Sequence, residues 1–505
     1  MGGDRDPAVK EQQYKDICAA CHSLLAERDA TIDRLAIPWL HVIREHPVFL
    51  ENYLDVTEPS SGIGAMRGRV ALVARYMAGW VWQAIVTLRS NGMAWDGPKE
   101  PPQVDVLFVS HLLSAAHAGR SEDFYFGRLP EAVACEGKVA AVALVNYSGE
   151  SGVAMAAAWR QSPVARFVLS HSLGLSEEFG LFLRLLRESL RLTAKAAAQP
   201  SGLIKRVTSR SAQEALSGGA RRTLRMADQL GRLVAQLKPK AIVVTYEGHA
   251  WERIAFAAAR RVAPGIQCIG YQHAALFRLQ YAIRQRLAPE YNPDAILTAG
   301  AVGKAQLESA QSLRGVPVAV VGSNRAFAPG VLSHARGLGC VVIPEGIASE
   351  CHLLFEFSLE CARACPAMTF IWRLHPLLTF EALVRQNPRL MDRPSNVVLS
   401  RGALEDDLKT CRWALYRGTT AVTQAVGAGL RPVYLRVAGE MTIDPLFALD
   451  AWRVVVEGAA EFRRVVDDDM RRVASLPSAE EQAAAAYCSA FFVPVNAKVL
   501  MDVIR

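Results

Sequence analysis

Short apolar runs rich in β-branched residues recur along this chain, and almost every one ends on a polar residue or glycine that leads into a helical stretch. Residues 104–110, 139–146 and 164–169 come first, followed by 241–245, 267–273, 295–300 and 318–322. A second series occupies 339–344, 369–375, 396–400, 413–416 and 431–435. Continuous rather than alternating apolar runs suit strands buried on both faces, and helices between them are what parallel crossovers require. The pattern predicts an α/β fold of two successive Rossmann-like parallel-sheet domains. The first spans 100–325 and the second 326–455, after a helical N-terminal region at 1–95. A helical tail, 456–505, is expected to pack back on the first domain.

With 505 residues, 51% of them apolar and 21% charged, the chain can bury cores of this size. Its formal charge of +8 suits anionic partners in general. Zinc-finger spacing and the aromatic–glycine pattern of RNA-binding sheets are both missing, so no nucleic-acid partner is expected. Cys18 and Cys21 form a lone CxxC in a helical stretch, and the remaining cysteines sit among apolar residues as small hydrophobes, so no metal is expected. The start of the chain, 1–16, is polar and charged, without the apolar core of a signal peptide. Residues 70–88 are interrupted by Arg75, and the uncharged run 483–497 is short and broken by Pro494. Both read as buried or interfacial helices rather than spans. These features together describe a cytoplasmic protein.

In open parallel sheets ligands bind beyond the carboxyl ends of the strands. That places a particular set of residues at the expected site: Ser110 and His111; Glu247, Gly248 and His249; Gln272 and His273; Glu345 and Gly346; His375 and Pro376; and Arg417, Gly418, Thr419 and Thr420. Gly418-Thr419-Thr420, between a strand and a helix, offers backbone N–H groups and hydroxyls to an anion, or simply caps the helix. His375 at a strand end can donate to a phosphate oxygen, and Glu345 can accept from a ribose or base. In the first half, Glu247 is placed to act as general base for an acceptor hydroxyl, while Glu252, one helical turn on, reads as structural. His111 and Asp123 form a second polar cluster open to the same role. Neither a GxxxxGK[ST] loop nor a strand-linked GxGxxG is present, which argues against nucleoside-triphosphate hydrolysis and nicotinamide chemistry. The basic stretch 201–240 reads as a solvated helix face with a loop at 217–219, or alternatively as a contact for an anionic membrane surface through 205–240.

Phe108-Val-Ser-His111, Asp123-Phe-Tyr-Phe-Gly127, Tyr246-Glu-Gly-His-Ala-Trp-Glu252, Gly270-Tyr-Gln-His273 and Thr298-Ala-Gly300 resemble a family of bacterial surface-carbohydrate (lipopolysaccharide and capsule) biosynthesis proteins. His375-Pro376 and Gly418-Thr-Thr420 resemble the donor side of GT-B glycosyltransferases that use CMP-activated acidic sugars, such as sialyl- and Kdo-transferases. The resemblance implies a GT-B-like fold and a nucleotide-sugar-dependent transferase without a separate cofactor. It further implies an enzyme that acts on a glycan or glycolipid precursor and sits peripherally at the inner membrane. It also implies that His375 contacts the donor phosphate, that Thr419 and Thr420 bind phosphate or sugar carboxylate, and that Glu247 occupies the acidic position. His273 would face the nucleotide. No second acid stands beside Glu247, so the base remains open between Glu247, Asp123 and His111. A polyol-phosphate transferase using CDP donors, a sugar-nucleotide epimerase or hydrolase, and a non-catalytic polysaccharide assembly protein are the alternatives.

Overall fold

The computed structural model describes residues 7–43, 47–57, 63–90, 93–114, 122–159, 162–327, 337–375, 378–471 and 478–504. Its strands are β1 (Trp95–Asp96), β2 (Val106–Leu112), β3 (Ala140–Asn146), β4 (Ala165–Leu169), β5 (Ala241–Thr245), β6 (Gln267–Gln272), β7 (Ala295–Thr298) and β8 (Val318–Val320). These make an eight-stranded sheet in the order β1-β4-β3-β2-β5-β6-β7-β8. The second series is β9 (Gly339–Ile343), β10 (Thr369–Trp372), β11 (Val397–Leu399), β12 (Trp413–Tyr416), β13 (Arg431–Leu435) and β14 (Val454–Val456). It forms a six-stranded sheet in the order β11-β10-β9-β12-β13-β14.

Both sheets reverse direction of winding beside their first parallel strand, the doubly wound Rossmann order. In the first sheet the reversal lies between β2 and β5, which pair in parallel from Val106↔Ala241. In the second it lies between β9 and β12, from Cys340↔Trp413. The strands are short and apolar because both faces are covered. Leu107, Val109, Ile242 and Val244 point into one core, and Val106, Phe108, Val243 and Ile269 into the other. The exception is β1, an antiparallel edge strand on β4, which lies in a stretch that composition alone marks as a linker.

The N-terminal helices are not a separate body. Tyr14, Ile17, Leu24, Leu35 and Trp39 share one core with Leu185, Leu192, Leu224 and Ile254 from the helical layer of the first domain. Pro38 interrupts the helical N-terminal region: Ile32–Leu35 is α-helical and Pro38–Leu40 a single 3₁₀ turn.

The tail divides, against the expectation for 456–505. β14 extends the second sheet, and helix Ala459–Arg471 stays with it, Trp413 Nε1 donating to Asp469 Oδ2 at 2.8 Å. Only the last segment returns to the first domain. Asn496 N donates to Val321 O at 2.8 Å, and helix Ala497–Val503 packs beside Val133 and Leu129. The segment 217–219 is likewise no loop: Ser217 caps helix Gly218–Leu237 by accepting from Ala220 N at 3.2 Å.

The two sheets present their carboxyl edges to each other across a cleft. Ala275 and Ala299, just beyond β6 and β7, share an apolar cluster with Tyr416, Val422 and Val426 of the second domain. Phe491 and Phe492 from the tail complete that cluster.

Candidate functional site

At the first sheet's reversal point, β5 runs into Tyr246-Glu247-Gly248-His249 and then helix Ala250–Val262. One carboxylate shapes this turn. Glu252 Oε2 accepts from the backbone N–H of Glu247 at 2.9 Å, Gly248 at 2.7 Å and His249 at 2.8 Å. Its burial nevertheless pushes its pKa up to about 7, the His249 and backbone interactions opposing. Gly248 has φ +90°, and a Cβ there would lie 2.5 Å from the carbonyl carbon of Ala282. Only glycine fits. The turn leaves the Glu247 carboxylate 3.4 Å from His249 Nε2, buried with a side-chain exposure of 10%.

His111, at the end of β2, stands across the reversal point. Its ring packs edge-on against Trp251 at 4.9 Å and against Tyr125 at 5.5 Å. Tyr125 in turn meets His273 at 4.6 Å. Burial, reinforced by the neighbouring His249 and His273, holds the His111 pKa down at about 3, with Glu247 pulling the other way. The imidazole is therefore neutral at ordinary pH. Its Nδ1 is buried and makes no hydrogen bond among the described residues.

Asp123 stands differently from the catalytic role open to it in the sequence. Its Oδ1 accepts from Ser110 Oγ at 2.9 Å and from the backbone N–H of Tyr125 and Phe126, both at 2.8 Å. Only 4% of the residue is exposed. It holds the turn that closes with the Asp123–Gly127 bridge and thereby sets the Tyr125 ring between His111 and His273.

At the second reversal point β9 delivers Glu345 and Gly346, β10 delivers His375, and β12 delivers Arg417-Gly418-Thr419-Thr420. The structure brings these together. A Cβ on Gly346 would lie 2.8 Å from His375 Nδ1, and one on Gly418 2.6 Å from Glu345 Oε1, so the two glycines admit these side chains. Burial lowers the His375 pKa; Glu345 opposes it and Arg325 adds to it. Arg325, in the connection between the domains, also opposes the burial that raises Tyr271 to about 12. It thus stands within electrostatic reach of both strand edges. It stands three residues beyond the apolar run 318–322, past the residues directly at the strand end, so the strand-end rule passes over it.

The threonines differ from each other. Thr419 is buried and its Oγ1 accepts from Ala421 N at 3.3 Å, an intraturn bond, while Thr420 is half-buried and offers its carbonyl to Thr423. The helix they precede, Val422–Gly427, has only six residues, so its end carries little dipole. Arg417 is committed inside the domain, paired with Glu350 and Glu440, each at 2.7 Å. Pro376 lies outside the described residues.

No protein-family model matches the chain, and no curated protein matches it. Among solved structures it is similar to MurG of Acinetobacter baumannii at 11% identity, over 79% of this chain and 99% of that one, with a TM-score of 0.44. It is similar to the glycosyltransferase SnogD from Streptomyces nogalater at 16% identity, over 79% and 98%, with a TM-score of 0.44. A putative UDP-N-acetylglucosamine 2-epimerase from Listeria monocytogenes aligns at 11% identity over 76% and 90%, with a TM-score of 0.41. Likeness at this level carries no information on activity, and the fold rests on the two strand orders.

Proposed function

We propose that the protein is a glycosyltransferase that takes a nucleotide-activated sugar on its second domain and passes it to a hydroxyl held by the first. The observation that carries this reading is the pairing of two reversal points across one cleft. Glu345, Gly346, His375 and Gly418 meet on one side, and Glu247, His249 and His111 on the other. The donor reading favours CMP-activated acidic sugars, Kdo or another nonulosonate, on the strength of His375 and the Gly418-Thr419-Thr420 turn.

The environments of the three candidate bases favour Glu247. Asp123 has an oxygen occupied by three donors. His111, held near 3, is too weak a proton acceptor to help much at neutral pH. Glu247 is the base this reading takes, its carboxylate 3.4 Å from His249 Nε2. In the proposed step the acceptor hydroxyl gives its proton to Glu247 as its oxygen bonds to the anomeric carbon. The bond from that carbon to the phosphate oxygen breaks, and the nucleotide monophosphate leaves with the electron pair. Neutral His375 donates a hydrogen bond to the departing phosphate, and Thr420 offers a hydroxyl to the same group or to the sugar carboxylate.

Transfer and hydrolysis measured across CMP-, CDP-, UDP- and GDP-sugars test the reading. Turnover with a CMP donor is expected, falling roughly 10²- to 10⁴-fold in Glu247→Gln and His375→Ala with the melting temperature unchanged. Absence of binding or turnover with every nucleotide sugar overturns it. Complete donor conversion without an acceptor would assign the site to an epimerase or hydrolase instead.

A further inference from the structure

Helix Ile63–Arg89 is built inside out. The side chains it buries against the protein are Trp80, Gln83 and Thr87, each held there through a polar atom. Tyr76 OH donates to Glu214 Oε2 at 2.9 Å, Trp80 Nε1 to Leu216 O at 3.1 Å, and Gln83 Nε2 to His171 O at 3.1 Å. The Thr87 and Ser172 hydroxyls are bonded at 2.6 Å. The apolar side chains face outward, with Val70 and Val81 each 65% exposed, Trp82 61% and Leu88 69%. Met77 and Ile85 fill the same stripe at helical spacing, and the exposed Phe179 continues it onto the neighbouring helix Leu175–Ala198. Among the described residues Val70–Arg89 is the one segment long and apolar enough, by length and composition, to cross a membrane. Yet the bonds from Tyr76 to Thr87 tie it lengthwise to the domain, so it lies along the surface and does not project from it.

The charge of the helix selects the occupant of that face. Between Ile63 and Trp95 the chain carries Arg67, Arg69, Arg75 and Arg89 and no acidic residue. Arg67, Arg75 and Arg89 are exposed. On this helix the apolar stripe is accompanied only by cations, which is complementary to a bilayer interface rich in anionic lipid. The basic stretch 205–240, the alternative membrane contact offered by the sequence, does not have this form. Arg210 pairs with Glu214 and Asp55, Arg225 with Glu178, and Arg232 with Glu177.

We propose that the outer face of helix Ile63–Arg89 seats the protein on an anionic lipid surface, the helix lying in the interfacial plane with Val81, Trp82, Ile85 and Leu88 at acyl-chain depth. Gln83 and Thr87 join this helix to His171 and Ser172, immediately beyond β4, so the seated face adjoins the sheet edge that carries His111. An acceptor anchored in the bilayer would reach the cleft from that side. The docking itself holds whatever group is transferred.

The full-length protein is sedimented with vesicles of phosphatidylcholine alone and with vesicles containing phosphatidylglycerol. Binding to the anionic vesicles, weakened by added salt, is expected, and Trp82 should be quenched by bromine placed on the upper acyl chain, with Trp82→Phe as the reference. The triple substitution Val81→Glu, Trp82→Glu and Leu88→Glu should lower vesicle affinity at least about tenfold without changing the melting temperature, because these side chains are solvent-exposed. Arg75→Glu with Arg89→Glu should lower it on anionic vesicles alone. Wild-type protein that fails to sediment with either vesicle, or binding that survives the triple substitution, overturns the proposal. So does a stable dimer in solution that the triple substitution dissociates, since a second copy would then own the face. None of these readouts uses glycosyl transfer, so they stand or fall apart from the proposed activity.

Discussion

The turn Glu247-Gly248-His249 concentrates several constraints in a few residues. Gly248→Ala must move φ from +90° or push a methyl group into the Ala282 carbonyl. A loss of about 3 kcal/mol is expected, read by urea unfolding, together with lost activity as Glu247 moves. Glu252 has a different signature. Its folded pKa of about 7 lies above the ordinary 4.5, so its contribution to stability is full below about pH 4.5 and is lost as pH rises through 7. Glu252→Gln retains an acceptor but cannot titrate. The variant should therefore lose roughly 3 kcal/mol less than wild type on going from pH 4.5 to pH 8. His111 and His41 act with the opposite sign. Burial lowers both to about 3, so their contributions are present above 6.5 and vanish as pH falls toward 3. Unfolding midpoints across that range should fall with acidification, and less steeply in His111→Gln.

At the scale of elements, the N-terminal helices act as a buttress for the turn. His41 Nε2 lies 2.8 Å from Leu35 O and also within bonding reach of the Gly248 backbone. The buttress is fastened by Arg34, whose guanidinium bonds Glu188 Oε1 at 2.7 Å and Glu27 Oε2 at 2.6 Å, with side-chain exposures of 1% for Arg34 and 2% for Glu188. Arg34→Ala leaves the buried Glu188 with only the part-exposed Arg191, 3.2 Å away, and a loss of about 3 kcal/mol is expected. Faster proteolysis within 1–57 than elsewhere would show that the loss begins there. The sequence marks this region as helical and apart from the sheets. That it shares a core with Leu224 and Ile254 could not be read there, because both partners of each contact look like ordinary amphipathic helix.

At the scale of the whole molecule, the two sheets are held edge to edge by the tail. Ser323 N donates to Val493 O at 2.8 Å and Val493 N to Ala299 O at 3.0 Å, while Phe491 and Phe492 fill the gap above Ala275 and Ala299. Phe491→Ala and Phe492→Ala should each cost about 3–5 kcal/mol of local packing. The loss is expected as a larger radius of gyration in small-angle scattering, with each sheet still folded by circular dichroism. A cleft that widens this way should raise the donor KM more than it changes the unfolding of either domain.

All the principal parallel strands were legible in the sequence, and for a physical reason. A strand covered on both faces must be apolar at every position, and the first polar residue after it marks the sheet edge where ligands bind. That periodicity placed His111, Glu247, Glu345, His375 and Gly418 on two edges before any contact was known. Trp95–Asp96 escaped it because two residues leave no pattern, and Val454–Val456 because it straddles the boundary expected between the second domain and the helical tail. Tertiary structure alone decided which polar residues are spent on holding backbone. Asp123 reads as an acid like Glu247 until three N–H or O–H donors are seen on its one oxygen, and three backbone N–H donors on one oxygen give Glu252 the structural part its position suggested. It also decided which way the long apolar helix turns. A sequence records that Val81, Trp82 and Leu88 share a stripe, but only the packing of Gln83 and Thr87 against the domain shows that the stripe faces outward.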